Sequence, residues 1–144
     1  MDTSDFLRAA AKNMPRADEY SPLGLAWLGD AVYELLVRSK VASKGNAPAD
    51  DLFKEAKGYS SAAAQSAVFN VLESHLTEEE FAVLKRGRNA KSYSRAKNAN
   101  IIDYRRATAI EALFGHLFIQ NRVDRLVELF DLIDNSKGAV TNDN

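Results

Sequence analysis

The chain has 144 residues, 46% of them apolar and 27% charged, with a formal net charge of −1 and no cysteine. That length suits one domain with a single substantial core; the missing cysteines exclude disulfides, thiolate zinc sites and cysteine nucleophiles, leaving oxygen and histidine as the ligands for any metal. The first twenty residues alternate charge with short apolar pieces, so neither a signal peptide nor a membrane span is expected, as in a soluble cytoplasmic protein.

Helical signals recur along the chain, whereas sustained two-residue alternation and Asn-Gly or Asp-Gly hairpin turns are missing, so the expected fold class is all-α. A first short helix is expected over residues 4 to 13, with Ser4 or Asp5 as its cap, inside an N-terminal extension of residues 1–20. Ser21 and Pro22 supply a cap and a first-turn proline for a long helix to about Val41. SKGNAPAD, residues 43 to 50, has the composition of a connection, and a helix from about Asp50 to Lys57 follows it. Ser60 or Ser61 opens another helix through His75. Thr77 and Glu80 form a capping-box pair for a helix from 78 to about Lys85. The segment 86 to 100 is nearly free of apolar residues and is expected to be a long connection. Helices then run from about Ile101 to Gln120 and from Val123 to Ile133. The main domain is assigned to residues 21–136, and 137–144 to a flexible tail.

Charge is unevenly placed. Residues 85 to 106 hold eight Lys or Arg against one acid, Asp103, while the rest of the chain holds eleven against nineteen. A local basic segment on an acidic body suits contact with phosphate; the plainer alternative is a solvated charged loop.

Two acids stand out. AWLGDAVYELL, residues 26 to 36, places Asp30 in an apolar helix, on one face with Leu23, Ala26, Trp27, Tyr33, Glu34 and Val37. Apolar residues occupy the other faces too, so this helix is expected at the centre of the molecule with Asp30 buried. ATAIEALFGHLFI, residues 107 to 119, places Glu111 in a second apolar helix, and a glycine lies near each acid, at Gly29 and Gly115. A buried carboxylate without a partner costs several kcal/mol, so the pair needs protons, cationic partners or a metal. Magnesium needs only one or two carboxylates beside water and phosphate oxygens. The alternative is two partly exposed helix acids or interface ion pairs. His75 and His116 are not assigned to catalysis.

LAWLGDAVYELL resembles the signature helix of the ribonuclease III catalytic domain, LKRGRNAK resembles the basic segment of that family, and ATAIEALFGHLFI resembles its second acidic motif. The order of the three is more specific than any one of them, and the likeness spans residues 21 to 120. At this length the double-stranded-RNA-binding domain of longer members is not expected, and GRNAKSYSRAKNANIIDYRRAT resembles the loop of the short Mini-ribonuclease III branch.

The resemblance implies a homodimeric, Mg²⁺-dependent endonuclease, with Mn²⁺ as a substitute ion, that cuts double-stranded RNA and leaves 5′-phosphate and 3′-hydroxyl ends. For the short branch it implies maturation of the 23S ribosomal RNA precursor, helped by a large-subunit ribosomal protein. By position, Asp30 and Glu111 match the metal-binding, catalytic acids. Lys85, Arg86, Arg88, Lys91, Arg95 and Lys97 would contact backbone phosphates. Trp27 matches an aromatic inserted into the partner protomer, although a core role is the plainer one. The sequence departs from the family twice, with Ala26 and Thr108 where longer members carry acids. The candidate supporting acids are Glu34, one turn beyond Asp30, for which a structural role is the plainer one, and Asp51, at a helix start near a region where the family has another acid. A non-catalytic RNA- or ribosome-binding module of the same fold, or an unrelated helical interaction protein, are the alternatives.

Overall fold

Helix starts fall where a side chain can accept from the first free backbone amides. A computed structural model describes residues 1–91 and 100–142, with side chains through residue 137. Among these residues are seven α-helices and no strand: α1 (Thr3–Ala11), α2 (Pro22–Ala42), α3 (Ala49–Ser60), α4 (Ala62–Glu73), α5 (Glu78–Asn89), α6 (Ile101–Ile119) and α7 (Val123–Asn142). The side chains of Ser21, Ser61 and Thr77 accept from Gly24, Ala64 and Glu80 and fix the starts of α2, α4 and α5. Asn100 does the same for α6, accepting from Ile102 and Asp103. At the N-terminus the cap is Asp2 rather than Ser4 or Asp5, with Asp5 returning the bond in a capping box. A 3₁₀ turn at Ala17–Glu19, without a sequence signal strong enough to expect it, precedes α2.

The central helix is α6, not α2. From Ala107 to Leu117 every residue of α6 except Glu111 is buried, and α2, α4, α5 and α7 all pack against it. In α2 only Leu25, Ala26, Gly29, Tyr33, Val37 and Val41 are buried. The opposite face is bare: Trp27 is 82% exposed and Leu35 53%. A helix apolar all round was expected to be enclosed all round; within one chain it is covered on one side only.

Two glycines set the crossing of α2 and α6. A methyl group on Gly29 would lie 1.6 Å from the Glu111 carbonyl oxygen, and one on Gly115 would lie 2.1 Å from the Leu25 carbonyl oxygen. The two backbones therefore touch directly, which only glycine permits. Around that contact the core closes with Tyr33, whose ring meets Phe114 edge-on at 5.3 Å and whose hydroxyl donates to the Tyr59 carbonyl at 2.8 Å. A buried ion pair anchors α7: Arg125 donates twice to Glu80, both at 2.9 Å, and once to the His75 carbonyl at 2.7 Å. Burial pushes the Glu80 carboxyl up, but bonds from Arg125 and Thr77 outweigh it and hold the group below its ordinary value.

Candidate active site

The glycine crossing determines where the acids sit. Because Gly29 rests on the backbone of Glu111, the next residue, Asp30, emerges beside the Glu111 side chain, and the two carboxyl groups come within hydrogen-bonding reach. Asp30 is exposed and Glu111 half-buried. The expected burial of Asp30 is thus corrected: it stands just outside the narrow buried seam of α2, at the rim where α2 and α6 part.

The Glu111 carboxyl is held back from ionising. Burial, the charge of Asp30 and a hydrogen bond to Asp30 push the Glu111 carboxyl up to about 8, with Glu34 adding to the effect. A protonated Glu111 donates to Asp30. Against these effects works Gln65 of α4, whose amide favours the ionised form of Glu111. Gln65 is only 1% exposed, and neither its side-chain nitrogen nor its oxygen has a hydrogen bond of good geometry. It lies close enough to Glu111 and Tyr33 to bias both toward ionisation. A buried amide left without partners costs about 1–3 kcal/mol. A Glu111 carboxyl held protonated against a second acid, beside a buried amide, forms a polar set that a divalent cation would complete, since it would let Glu111 ionise. The described residues include no group of three or more His, Asp or Glu able to hold a metal, so such an ion would complete its shell with water and substrate oxygens.

The positions of the absent acids are filled without replacement. Ala26 is buried against the core, and the Thr108 hydroxyl donates to the Tyr104 carbonyl within its own helix at 2.9 Å. Glu34 is half-buried, accepts from Arg38 Nε at 3.1 Å and is near enough to act on Glu111. Asp51 is exposed in the first turn of α3, and no described contact joins it to the pair. His116 is buried against Glu79 at 3.3 Å, away from the acids, and His75 bonds the Val71 carbonyl.

The basic residues divide. Lys85, Arg86 and Arg88 belong to the last turns of α5, which continues to Asn89 instead of stopping near Lys85. Helical spacing turns Arg86 and Arg88 apart: Arg86 lines a cleft with Met14, Arg16 and His116, while Arg88 lines another with Arg105 and Arg106. Lys91 follows the helix and is exposed. Arg95 and Lys97 lie outside the described residues. Trp27 stands on the bare face of α2 and takes no part in the core of its own chain. Sequence reading passed over Gln65, because SAAAQS carries no sign of which residue will meet α6.

Comparison with known proteins accords with this geometry. Residues 23–122 match the Ribonuclease III domain. The chain is 51% identical to a Mini-ribonuclease 3 of Brevibacillus brevis over 76% of its own length and 81% of that protein's. It is 42% identical to a Mini-ribonuclease 3 of Clostridium tetani, over 81% and 78% of the two chains. A solved structure of a Fusobacterium nucleatum protein superposes with a TM-score of 0.76 at 27% identity, covering 85% of this chain and 99% of that one. A ribonuclease III domain match over most of the sequence, and curated relatives up to 51% identical over more than two thirds of both chains, establish that the chain belongs to the Mini-ribonuclease 3 family.

Proposed function

We propose that the chain is a divalent-metal-dependent endoribonuclease that cuts double-stranded RNA as a homodimer in the cytoplasm, leaving 5′-phosphate and 3′-hydroxyl ends. The observation that carries the reading is the meeting of Asp30 and Glu111 at the exposed rim of α2 and α6, with Glu111 held up at about 8. Asp30 and Glu111 would hold Mg²⁺, or Mn²⁺ in its place. When bound, the ion supplies an activated water and neutralises charge on the phosphate and the leaving oxygen. Asp30, being exposed, leaves room for a phosphodiester to approach. Glu111 would hold the ion as a carboxylate, the form that the nearby Gln65 amide favours. Lys85, Arg86, Arg88, Lys91, Arg95 and Lys97 contact the backbone of an A-form duplex, whose base edges side chains cannot read. Trp27 packs into the partner protomer. The natural substrate in this reading is the 23S ribosomal RNA precursor, presented with a large-subunit ribosomal protein.

The test is cleavage of a plain RNA duplex by the wild type and by Asp30→Asn. With Mg²⁺ the wild type should cut, EDTA should stop it, and Asp30→Asn should lose about 10³-fold or more in rate while still binding the duplex. Binding without cutting by the wild type would favour the non-catalytic module; unchanged turnover by Asp30→Asn would remove the acid from the site.

A further inference from the structure

An open cleft of about 400 Å³ lies where α4, α5 and α6 meet. Arg88 enters it from α5, and Arg105 and Arg106 from the first turns of α6; Asn70, Asn89 and Glu73 complete its polar lining. Three guanidinium groups against one carboxylate leave that lining positive. None of the three forms an ion pair among the described residues, and neither does Glu73. Their donors are hardly used: Arg88 Nε meets Asn89 at 3.4 Å, and Arg106 meets Ser66 Oγ at 3.4 Å. Arg106 is nevertheless held in place, with its guanidinium stacked 5.1 Å from the centre of the Phe69 ring. A held arginine beside two others without ion pairs at an open cleft suits a planar, two-point grip on a phosphate.

The cleft is tied to the acids through adjacent residues of α4. Gln65 lies at Glu111 and Ser66 at Arg106. Along α6, Arg105 and Arg106 precede Glu111 by a distance of about 7.5–9 Å at the helical rise. We infer that Arg88, Arg105 and Arg106 form a second phosphate seat, which holds a backbone phosphodiester next to the one cut at Asp30 and Glu111. The inference rests on the nuclease reading above and adds two arginines of α6 to the basic residues given there as phosphate contacts. A polyanionic strand is favoured over a small free anion because the cleft is open, and a strand held at the acids delivers its neighbouring phosphate at high effective concentration. The seat also offsets the repulsion that Asp30 and Glu34 exert on an incoming strand, and it fixes the strand's register.

The experiment measures duplex-RNA binding against salt in the cleavage-dead Asp30→Asn protein, with and without Arg88→Ala and Arg105→Ala. Arg105 is exposed and its side chain makes no described bond, so its removal leaves packing alone. Loss of the seat should weaken binding several-fold and reduce the slope of log K against log salt by about one. Lysine at both positions should restore the slope. A duplex scanned with single methylphosphonate linkages should reveal one uncharged linkage near the cut that weakens the parent and leaves the double variant unaffected. Equal affinity and slope in parent and variant, or no linkage that distinguishes them, would overturn the seat alone. Failure of the Asp30→Asn parent to bind duplex RNA at low salt would overturn the nuclease reading, and the seat with it.

Discussion

Glu111 retains a proton because burial and the negative charge of Asp30 both oppose its ionisation. The consequence for stability has a definite sign. Its folded value, about 8, lies above the ordinary 4.5, so the group stabilises the metal-free fold below about pH 4.5 and that contribution is lost as pH rises through about 8. Glu80 has the opposite sign, its stabilisation being lost only in acid, as pH falls below the ordinary carboxylate range. Urea unfolding of EDTA-treated protein should therefore show stability declining from pH 5 to pH 8. Glu111→Gln should flatten the decline; an identical slope in that variant would show that Glu111 is already ionised at neutral pH. At this scale the sequence was informative about charge and silent about surroundings. Asp30 and Glu111 stood out against apolar neighbours, but Gln65 looked like an ordinary helix residue until α4 met α6. Asp30 was placed inside because its whole helix is apolar, and local periodicity cannot separate a surface buried by its own chain from one left bare.

The α2–α6 crossing is the element on which the acid pair depends. Gly29 and Gly115 let the two backbones touch, and a side chain at either would strike a carbonyl oxygen rather than a yielding side-chain tip. Gly29→Ala should destabilise the protein by about 3 kcal/mol or more, since the helices must separate to admit the methyl group. It should also abolish duplex cleavage in whatever fraction folds. A Gly29→Ala protein as stable as wild type in thermal unfolding would show that the helices cross more loosely than described. Both glycines were visible in the sequence beside the acids; their role as the contact was not, because a helical glycine has many uses. Helix starts were legible where Ser21, Ser61 and Thr77 carry the caps, whereas Asn100 was passed over as the cap of α6. Helix ends were less so: α5 runs through Arg86 and Arg88 to Asn89, because Gly87 packs against Ala109 of α6 and holds that turn in place. Tertiary contact, not local composition, decided where that helix stopped.

At the scale of the molecule, the bare face of α2 is out of keeping with a finished surface. Trp27 and Leu35 are exposed along one stripe with Ala31 between them, and contiguous apolar stripes of this kind mark interfaces. In the homodimer proposed above, that stripe is where the two copies meet, with Trp27 as the central anchor. Trp27→Ala should weaken association by about 2 kcal/mol or more and give folded monomers in sedimentation velocity; a variant that remains dimeric at the same concentrations would move the interface elsewhere. No helix among the described residues is long and apolar enough to cross a membrane, so the stripe is not part of a membrane span. The all-α class was legible from recurring helical signals, and the family from three short motifs in order, because those motifs carry the acids, the glycines and the basic segment together. The measurement that bears most directly on the whole account is anomalous diffraction from crystals soaked in Mn²⁺. A peak between the carboxylates of Asp30 and Glu111, lost in Asp30→Asn, is the expected result. An empty map at that position, in crystals whose dissolved protein still cuts duplex RNA with Mn²⁺, would contradict it.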